Sequence, residues 1–218
     1  MDAEAFLRDL PGRFDRFPES EQPRDPRFQE ILDAVPGLAR ANNLALLNAA
    51  ASHLGDGESY VEVGTYRGTS LIAAMLDNDG KHFVAIDDFS LGDGSRQLVE
   101  QNLVSFGLSD ATIIEGDAFE LLPDGALSGT TAGVYYYDAA HTYEQQLDGL
   151  LLAEPHFAPE ALLIVDDTDW DYVAAATRDY LARRPNVRLL LEVGGKDRGA
   201  PAWWEGVQVL EWRAVERG

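Results

Sequence analysis

An α/β fold with a mostly parallel seven-stranded sheet is predicted by three features of this sequence. Short apolar runs recur along the chain, amphipathic helical stripes separate the first five runs, and an acidic residue follows each of those five. Apolar strands that alternate with amphipathic helices are typical of a parallel sheet covered on both faces. The expected architecture is therefore a three-layer sandwich, and 218 residues with 45% hydrophobic content are enough for one such core.

The predicted strands fall into two groups. The parallel group comprises residues 60–63, 82–86, 111–114, 133–137 and 162–165. Residues 187–193 and 207–212 are joined by a glycine-rich loop without a helical stripe, so we expect them to pair antiparallel at the sheet edge. The result is a Rossmann-like sheet whose last strand runs against the others.

The helices between the strands are predicted from apolar residues at helical spacing. One stripe, with spacings i, i+4, i+7 and i+8, is Tyr143, Leu147, Leu150 and Leu151. A second stripe follows the fifth strand and consists of Trp170, Val173, Ala174, Thr177 and Leu181. Ahead of the first strand, residues 38–54 are predicted to form an Ala- and Leu-rich helix that ends at Gly55.

Residues 1–37 differ from the rest, because five prolines interrupt them. Four phenylalanines are scattered through this segment: Phe6, Phe14, Phe17 and Phe28. We predict an arm packed on the main domain, residues 38–218, since the phenylalanines need burial. A lid over a ligand site is the alternative.

Composition excludes several classes of partner. Lys and Arg number 17 against 38 Asp and Glu, a formal charge of −21, which repels nucleic acid and anionic membranes. The absence of cysteine excludes disulfides, thiolate metal sites and cysteine nucleophiles. The acidic, amphipathic start, MDAEAFLRDL, resembles neither a signal nor a transit peptide, and no apolar run approaches the roughly 20 residues that span a bilayer. We therefore expect a cytoplasmic protein.

Residues 60–70, YVEVGTYRGTS, predict a strand, a glycine turn and a helix start that Thr69 or Ser70 can cap. Glycines let the backbone approach a ligand, and the helix start favours an anionic group such as a carboxylate. The turn reads G-x-x-x-G from Gly64 to Gly68, whereas a dinucleotide site needs G-x-G-x-x-G. This glycine spacing, together with Glu62 two residues before the first glycine, favours a ligand that carries an ammonium group.

The acids that follow the parallel strands should meet at one edge of the sheet, since ligands bind at the carboxyl ends of such strands. They are Glu62, Asp87, Asp117, Asp138, Asp166 and Asp167. Taken singly, each could be a helix cap or turn former. Together they repel one another, so a cation, a donor-rich ligand or a proton must compensate them.

The order of these pieces resembles the class I S-adenosylmethionine (SAM) dependent methyltransferases over about residues 40–212. VEVGTYRGTS is similar to the first motif of the catechol-type O-methyltransferases. YYYDAAHTYE (135–144) and LLIVDDTDW (162–170) resemble the corresponding stretches of a related bacterial small-molecule group. The resemblance implies that residues 38–218 bind SAM and methylate a hydroxyl of a small molecule.

The resemblance also implies roles in cofactor binding. Gly64 would offer its backbone to the methionine ammonium with Glu62 nearby, and Ser70 would hold the carboxylate. Asp87 would accept from the ribose hydroxyls, Asp117 would accept from the adenine amino group, and Phe89 would pack on the adenine or in the core. The full implied set is Glu62, Gly64, Thr65, Tyr66, Gly68, Ser70, Asp87, Asp88, Phe89, Gly116, Asp117, Ala118 and Asp138.

For the chemical step, the resemblance implies Mg²⁺ held by Asp138, Asp166 and Asp167, which would bind the acceptor hydroxyl and lower its pKa. The alternative is that Asp167 only caps the helix near Trp170, so that Asp138 and Asp166 alone face the ligand. His141, three residues after Asp138, stands where catechol-type enzymes carry a basic lysine and would serve as the base. The catalytic pair is thus expected to be His141 and Asp138.

Two other functions remain open at this point: a non-catalytic SAM-binding module, and an NAD(P)-dependent oxidoreductase, which the missing G-x-G-x-x-G disfavours. Trp203 and Trp204, together with residues 1–37, are candidate walls for the acceptor, although two tryptophans could equally form a dimer contact. A homodimer is expected.

Overall fold

A computed structural model describes residues 1–194 and 202–215 of the chain. Its strands are β1 (Ser59–Val63), β2 (His82–Asp87), β3 (Ala111–Glu115), β4 (Ala132–Tyr137), β5 (Phe157–Asp166), β6 (Val187–Val193) and β7 (Val207–Arg213). They form one sheet in the order β3-β2-β1-β4-β5-β7-β6, in which β7 runs in the opposite direction to the other six strands. The predicted sheet and its antiparallel last strand are confirmed.

The structure differs from the predicted strand ends mainly at β5. This strand begins at Phe157, five residues before the predicted start, because its first half pairs with the end of β7, as in Glu160 with Arg213. Pro159 and Glu160 interrupt the apolar run there. Tertiary pairing thus extends a strand that the hydrophobic pattern does not indicate.

The helices are α1 (Ala3–Asp9), α2 (Arg27–Ala34), α3 (Ala41–Ser52), α4 (Thr69–Met75), α5 (Arg96–Ser105), α6 (Ala118–Leu121), α7 (Tyr143–Ala153) and α8 (Asp171–Arg183). The predicted helix over residues 38–54 is shorter in the structure, since Arg40 has extended backbone angles and forms the N-cap of α3. Nearly every residue of α3 is buried, because this helix lies between the sheet and the N-terminal segment.

The core has two halves, one on each face of the sheet, and alternate strand residues belong to different halves. On β4, Val134 and Tyr136 lie in the half covered by α3 and α4, whereas Tyr135 and Tyr137 lie in the half covered by α7 and α8. The sheet is therefore buried on both faces, as its apolar strands predict.

Residues 1–37 pack against the rest of the protein. Phe6, Phe14 and Phe28 are buried, and the rings of Phe14 and Phe17 lie 5.5 and 5.9 Å from the ring of Trp203. The indole N–H of Trp203 donates to the carbonyl of Pro18 at 2.9 Å. The division of the chain at residue 37 stays a prediction, but phenylalanines from this segment share a core with the sheet.

Among the described residues, none of the helices is both long enough and apolar enough to cross a membrane.

Candidate functional site

A cavity of ≈ 340 Å³ lies at the carboxyl ends of β1, β2 and β4. Many of the residues that the sequence predicts for a ligand site line it: Gly64, Thr65, Tyr66, Ser70, Asp87, Asp88, Gly116, Asp117, Ala118, Asp138, His141 and Asp167. Parallel strands bring these distant segments together because their carboxyl ends share one edge of the sheet.

The glycine turn between β1 and α4 forms one wall. Gly64 has φ +93°, and a Cβ at this position would lie 1.8 Å from the carbonyl oxygen of Asp138, so no larger residue fits. Its N–H donates to Ile86 at 2.9 Å, which leaves its carbonyl as the group to offer an ammonium. Gly68, at φ +86°, is the N-cap of α4 and does not line the cavity.

The expected side-chain cap of α4 is absent. Thr69 donates its hydroxyl to the carbonyl of Val35 at 2.9 Å, and the Ser70 hydroxyl donates to Glu62 at 3.3 Å. The hydroxyls are used in this way because α4 packs against the N-terminal segment on one side and covers a buried acid on the other.

Asp87, at the end of β2, fixes the turn and lines the cavity. Its Oδ2 accepts from the backbone N–H groups of Thr65 and Tyr66, both at 2.7 Å, and its Oδ1 accepts from Phe89 at 2.6 Å. A carboxylate has about four acceptor positions and three are used here, so a position on Oδ1 remains available for a ribose hydroxyl. Asp88 is held differently, with its Oδ1 accepting from the backbone of Ser90 at 2.9 Å.

Of the residues predicted to surround the adenine, Asp117 lines the cavity and Phe89 lies elsewhere. Asp117 is the N-cap of α6, where its Oδ1 accepts from Phe119 at 2.8 Å, and it also lines the cavity. Phe89 does not line the cavity and packs against the core, which was the alternative expected for it. Phe119 and Leu91, which the sequence did not single out, line the cavity instead.

The two adjacent tryptophans have separate environments. Trp203 is fully buried against the phenylalanines of the N-terminal segment, so it is not an acceptor wall. Trp204 lines the cavity together with Leu38, and the guanidinium of Arg40 lies 5.4 Å from its ring centre. Trp204 has φ +52°, and this turn directs the two neighbouring side chains to different places.

Glu62 lies beneath the glycine turn and is fully buried, outside the cavity lining. Its carboxylate accepts from the Tyr60 hydroxyl at 3.0 Å and from the Ser70 hydroxyl at 3.3 Å. Burial raises the pKa of Glu62 to about 7, and these hydrogen bonds act in the opposite direction. A cation that reached Glu62 would stabilise its ionised form.

A second buried acid, Asp166, also lies outside the cavity lining. The hydroxyl of Tyr136 lies 2.6 Å from Asp166 Oδ2 and 2.9 Å from Asp138 Oδ2, and Asn43 donates to Asp166 at 3.4 Å. Burial raises the pKa of Asp166 to about 7 and the pKa of Asp138 well above its ordinary value, and repulsion from Asp167 adds to both shifts. Tyr136 was missed from the sequence, although it precedes Asp138 by two residues and so shares its face of β4.

His141 completes a cluster with Asp138 and Asp167, whose potential ligand atoms all lie within 4.8 Å of one another. His141 Nε2 is 3.0 Å from Asp167 Oδ2, and the imidazole ring lies edge-on to Trp170 at 5.4 Å. Burial lowers the pKa of His141, which favours the neutral imidazole. The N-cap of α8 is Trp170 without a side-chain cap, so Asp167 faces the cavity and is not the cap of that helix.

The seven-stranded sheet with this order, and a ligand cavity at the carboxyl ends of its parallel strands, define a class I SAM-dependent methyltransferase fold. Residues 61–168, about half of the chain, match a family model described as a methyltransferase domain. Residues 61–168 therefore form a methyltransferase domain, and the oxidoreductase alternative is set aside.

Solved structures share this fold at low identity. A putative O-methyltransferase from Klebsiella pneumoniae has a TM-score of 0.64 and 18% identity, with 97% of each chain covered. An O-methyltransferase from Bacillus cereus, solved with S-adenosylhomocysteine (SAH), has a TM-score of 0.62 and 14% identity over 96% of this chain and 97% of that one. TomG from Streptomyces achromogenes, an O-methyltransferase solved with SAM, has a TM-score of 0.57 and 16% identity over 98% and 91%. The comparison with curated proteins gives no match.

Proposed function

We propose that this protein transfers the methyl group of SAM to a hydroxyl of a small molecule, with His141 as the base and with assistance from Mg²⁺. One observation carries the proposal: Asp138, His141 and Asp167 form a compact cluster in the same cavity as the glycine turn. A methyl donor and a group able to accept a proton would thus lie side by side, as in-line transfer to oxygen requires.

The cofactor roles follow from this arrangement. The Gly64 carbonyl and the buried Glu62 carboxylate would receive the methionine ammonium, and Asp87 would accept from the ribose hydroxyls. Asp117, Gly116 and the neighbouring Phe119 line the same cavity, and the adenine would lie against them. The backbone bonds that hold Asp87 and Asp117 keep these acceptors in place before the cofactor arrives.

The residues present fit a divalent cation. Two carboxylates and an imidazole lie within 4.8 Å of one another, and burial together with mutual repulsion leaves Asp138 in need of a positive charge. Asp138 and Asp167 would hold the ion, whereas Asp166 is turned towards Tyr136 and Asn43 and would support Asp138 from behind. When bound, the ion would lower the pKa of the acceptor hydroxyl.

His141 would take the hydroxyl proton at Nε2. Nδ1 is buried and has no hydrogen-bond partner in the described part of the chain, so Nε2 is the nitrogen directed towards the cluster. Without a ligand, the 3.0 Å contact requires Nε2 to carry its hydrogen towards Asp167 Oδ2, so Nε2 would act as the base only when Mg²⁺ engages that oxygen and the lone pair of Nε2 faces the acceptor hydroxyl. The neighbouring carboxylates would then stabilise the imidazolium that the transfer forms. Since burial favours the neutral ring, the base would be in its active form at neutral pH.

The test is a screen for SAH release from SAM with a panel of hydroxyl compounds, each paired with an analogue in which a methoxy group replaces the hydroxyl. We expect transfer to some hydroxyls, with loss on adding a chelator and recovery with Mg²⁺. Transfer that is unaffected by the chelator would refute the metal, and methylation only of nitrogen or carbon acceptors would refute the hydroxyl assignment.

A further inference from the structure

Tyr60 is a fully buried tyrosine on β1 whose hydroxyl reaches the acid beneath the cavity. Its Oη donates to Glu62 Oε2 at 3.0 Å. The two residues are separated by one position on the strand, so their side chains lie on the same face, the one covered by α3 and α4. The hydroxyl and the carboxylate are thus held together by the geometry of a single strand.

Packing alone does not require this hydroxyl. The Tyr60 ring packs against Phe83, with ring centres 5.8 Å apart, in a core that a phenylalanine would fill equally well. A hydroxyl in such surroundings is costly unless it is hydrogen-bonded, and its partner here is Glu62. The feature that distinguishes tyrosine from phenylalanine at this position is therefore its bond to the acid.

Glu62 has no cationic partner within 4.0 Å among the side chains that the structure describes. Its neighbours are hydroxyl groups, from Tyr60 on its own strand, from Ser70 on α4 and from Thr65 in the glycine turn, and the contact with Ser70 is longer than the one with Tyr60. Ser70 and Thr65 both line the cavity, where a ligand can engage their hydroxyls. The bond from Tyr60 is then the fixed constraint on the direction in which the carboxylate points.

We propose that Tyr60 is a positioning residue for cofactor binding, whose hydroxyl holds the Glu62 carboxylate in the orientation that receives the methionine ammonium. The inference rests on the role of Glu62 in the proposed function. Tyr60 itself does not line the cavity and does not touch the cofactor site, so its effect is transmitted through Glu62.

The experiment measures calorimetric dissociation constants for two ligands, SAH and 5′-methylthioadenosine, which keeps the adenosine and the thioether but lacks the ammonium and the carboxylate. In Tyr60→Phe, we expect the Kd of SAH to rise about tenfold, in line with the loss of a hydrogen bond to a charged group. The Kd of 5′-methylthioadenosine should stay within about twofold, because this ligand has no ammonium to place.

The matched control is Tyr135→Phe, which removes another buried hydroxyl from the same sheet. Tyr135 lies on the opposite face, and its hydroxyl donates to the Gly149 carbonyl at 2.8 Å. We expect a comparable fall in thermal stability in both variants but no change in either ligand constant for Tyr135→Phe. Equal weakening of both ligands in Tyr60→Phe would indicate general distortion and would overturn the proposal.

Glu62→Gln separates failure of this inference from failure of the proposed function. If Glu62→Gln weakens SAH selectively and Tyr60→Phe does not, Glu62 keeps its role and Tyr60 is not a positioning residue. If neither variant changes the ratio of the Kd of SAH to the Kd of 5′-methylthioadenosine, Glu62 does not receive the ammonium. The roles of Glu62 and of Tyr60 are then both refuted.

Discussion

If Glu62 receives the methionine ammonium, cofactor affinity must depend on pH. Burial raises the pKa of Glu62 to about 7, so the carboxylate is largely ionised at pH 8 and largely protonated at pH 6. The ionised fraction falls from about 0.9 to about 0.1 over this range. If the ionised form alone attracts the ammonium, the Kd of SAH should rise roughly tenfold between pH 8 and pH 6.

The assay is calorimetric titration of SAH at half-unit pH steps, in metal-free buffer. Asp166 also has a pKa raised to about 7 by burial and by Asp167, so a pH effect alone does not identify Glu62. Two comparisons make the assignment: Glu62→Gln should flatten the profile, and 5′-methylthioadenosine, which lacks the ammonium, should show little pH dependence in the unmodified protein. A profile for SAH that is flat, or that keeps its slope in Glu62→Gln, would refute the reasoning.

The remaining predictions concern stability and turnover. The pKa of Glu62 is raised from 4.5 to about 7, so the ligand-free protein should lose stability as pH rises through this window. Glu62→Gln should remove about 2.5 kcal/mol of the loss between pH 5 and pH 8, measured by denaturant titrations at the two pH values. Gly64→Ala should cost roughly 2 to 4 kcal/mol of unfolding free energy, measured by the same titration, because its Cβ would collide with the Asp138 carbonyl. His141→Ala should lower kcat by about 100-fold or more at neutral pH while calorimetric SAH affinity stays within twofold; a variant equally active across pH 6 to 9 would contradict the base assignment. Trp204→Ala should raise the acceptor KM and leave SAH binding unchanged, and a purely structural role would instead lower thermal stability with KM intact.

The sequence by itself determined the architecture and the edge of the sheet at which the cavity lies. Apolar runs of strand length and apolar stripes at helical spacing are local patterns. In a sheet covered on both faces, the runs are buried as strands and the stripes are buried as the helix faces that cover them. The acids after successive strands, such as Asp87 and Asp138, then reach one cavity because parallel strands share a carboxyl edge. The glycines from Gly64 to Gly68 likewise indicated a turn that lets the backbone approach a neighbour, and the structure shows that the Asp138 carbonyl lies against Gly64.

Only the tertiary structure decided which acids face the ligand and which lie behind it. Glu62 and Asp166 are buried against Tyr60 and Tyr136, outside the cavity lining, although in the sequence they lie near strand ends, as Asp138 does. The physical reason is that the direction of a side chain at a strand end depends on the backbone angles of the turn and on what packs above it. Asp167, at φ +56°, leaves the strand alternation and meets His141.

Backbone angles and packing also explain why two neighbouring tryptophans lie in different environments. At φ +52°, Trp204 turns towards the cavity, whereas Trp203 is buried beneath the phenylalanines of the N-terminal segment. The two tryptophans share the same local sequence, so their different burial arises from distant segments that pack against them only after folding. Composition and spacing therefore identify the edge of the sheet that carries the cavity, while long-range packing selects the side chains that meet there.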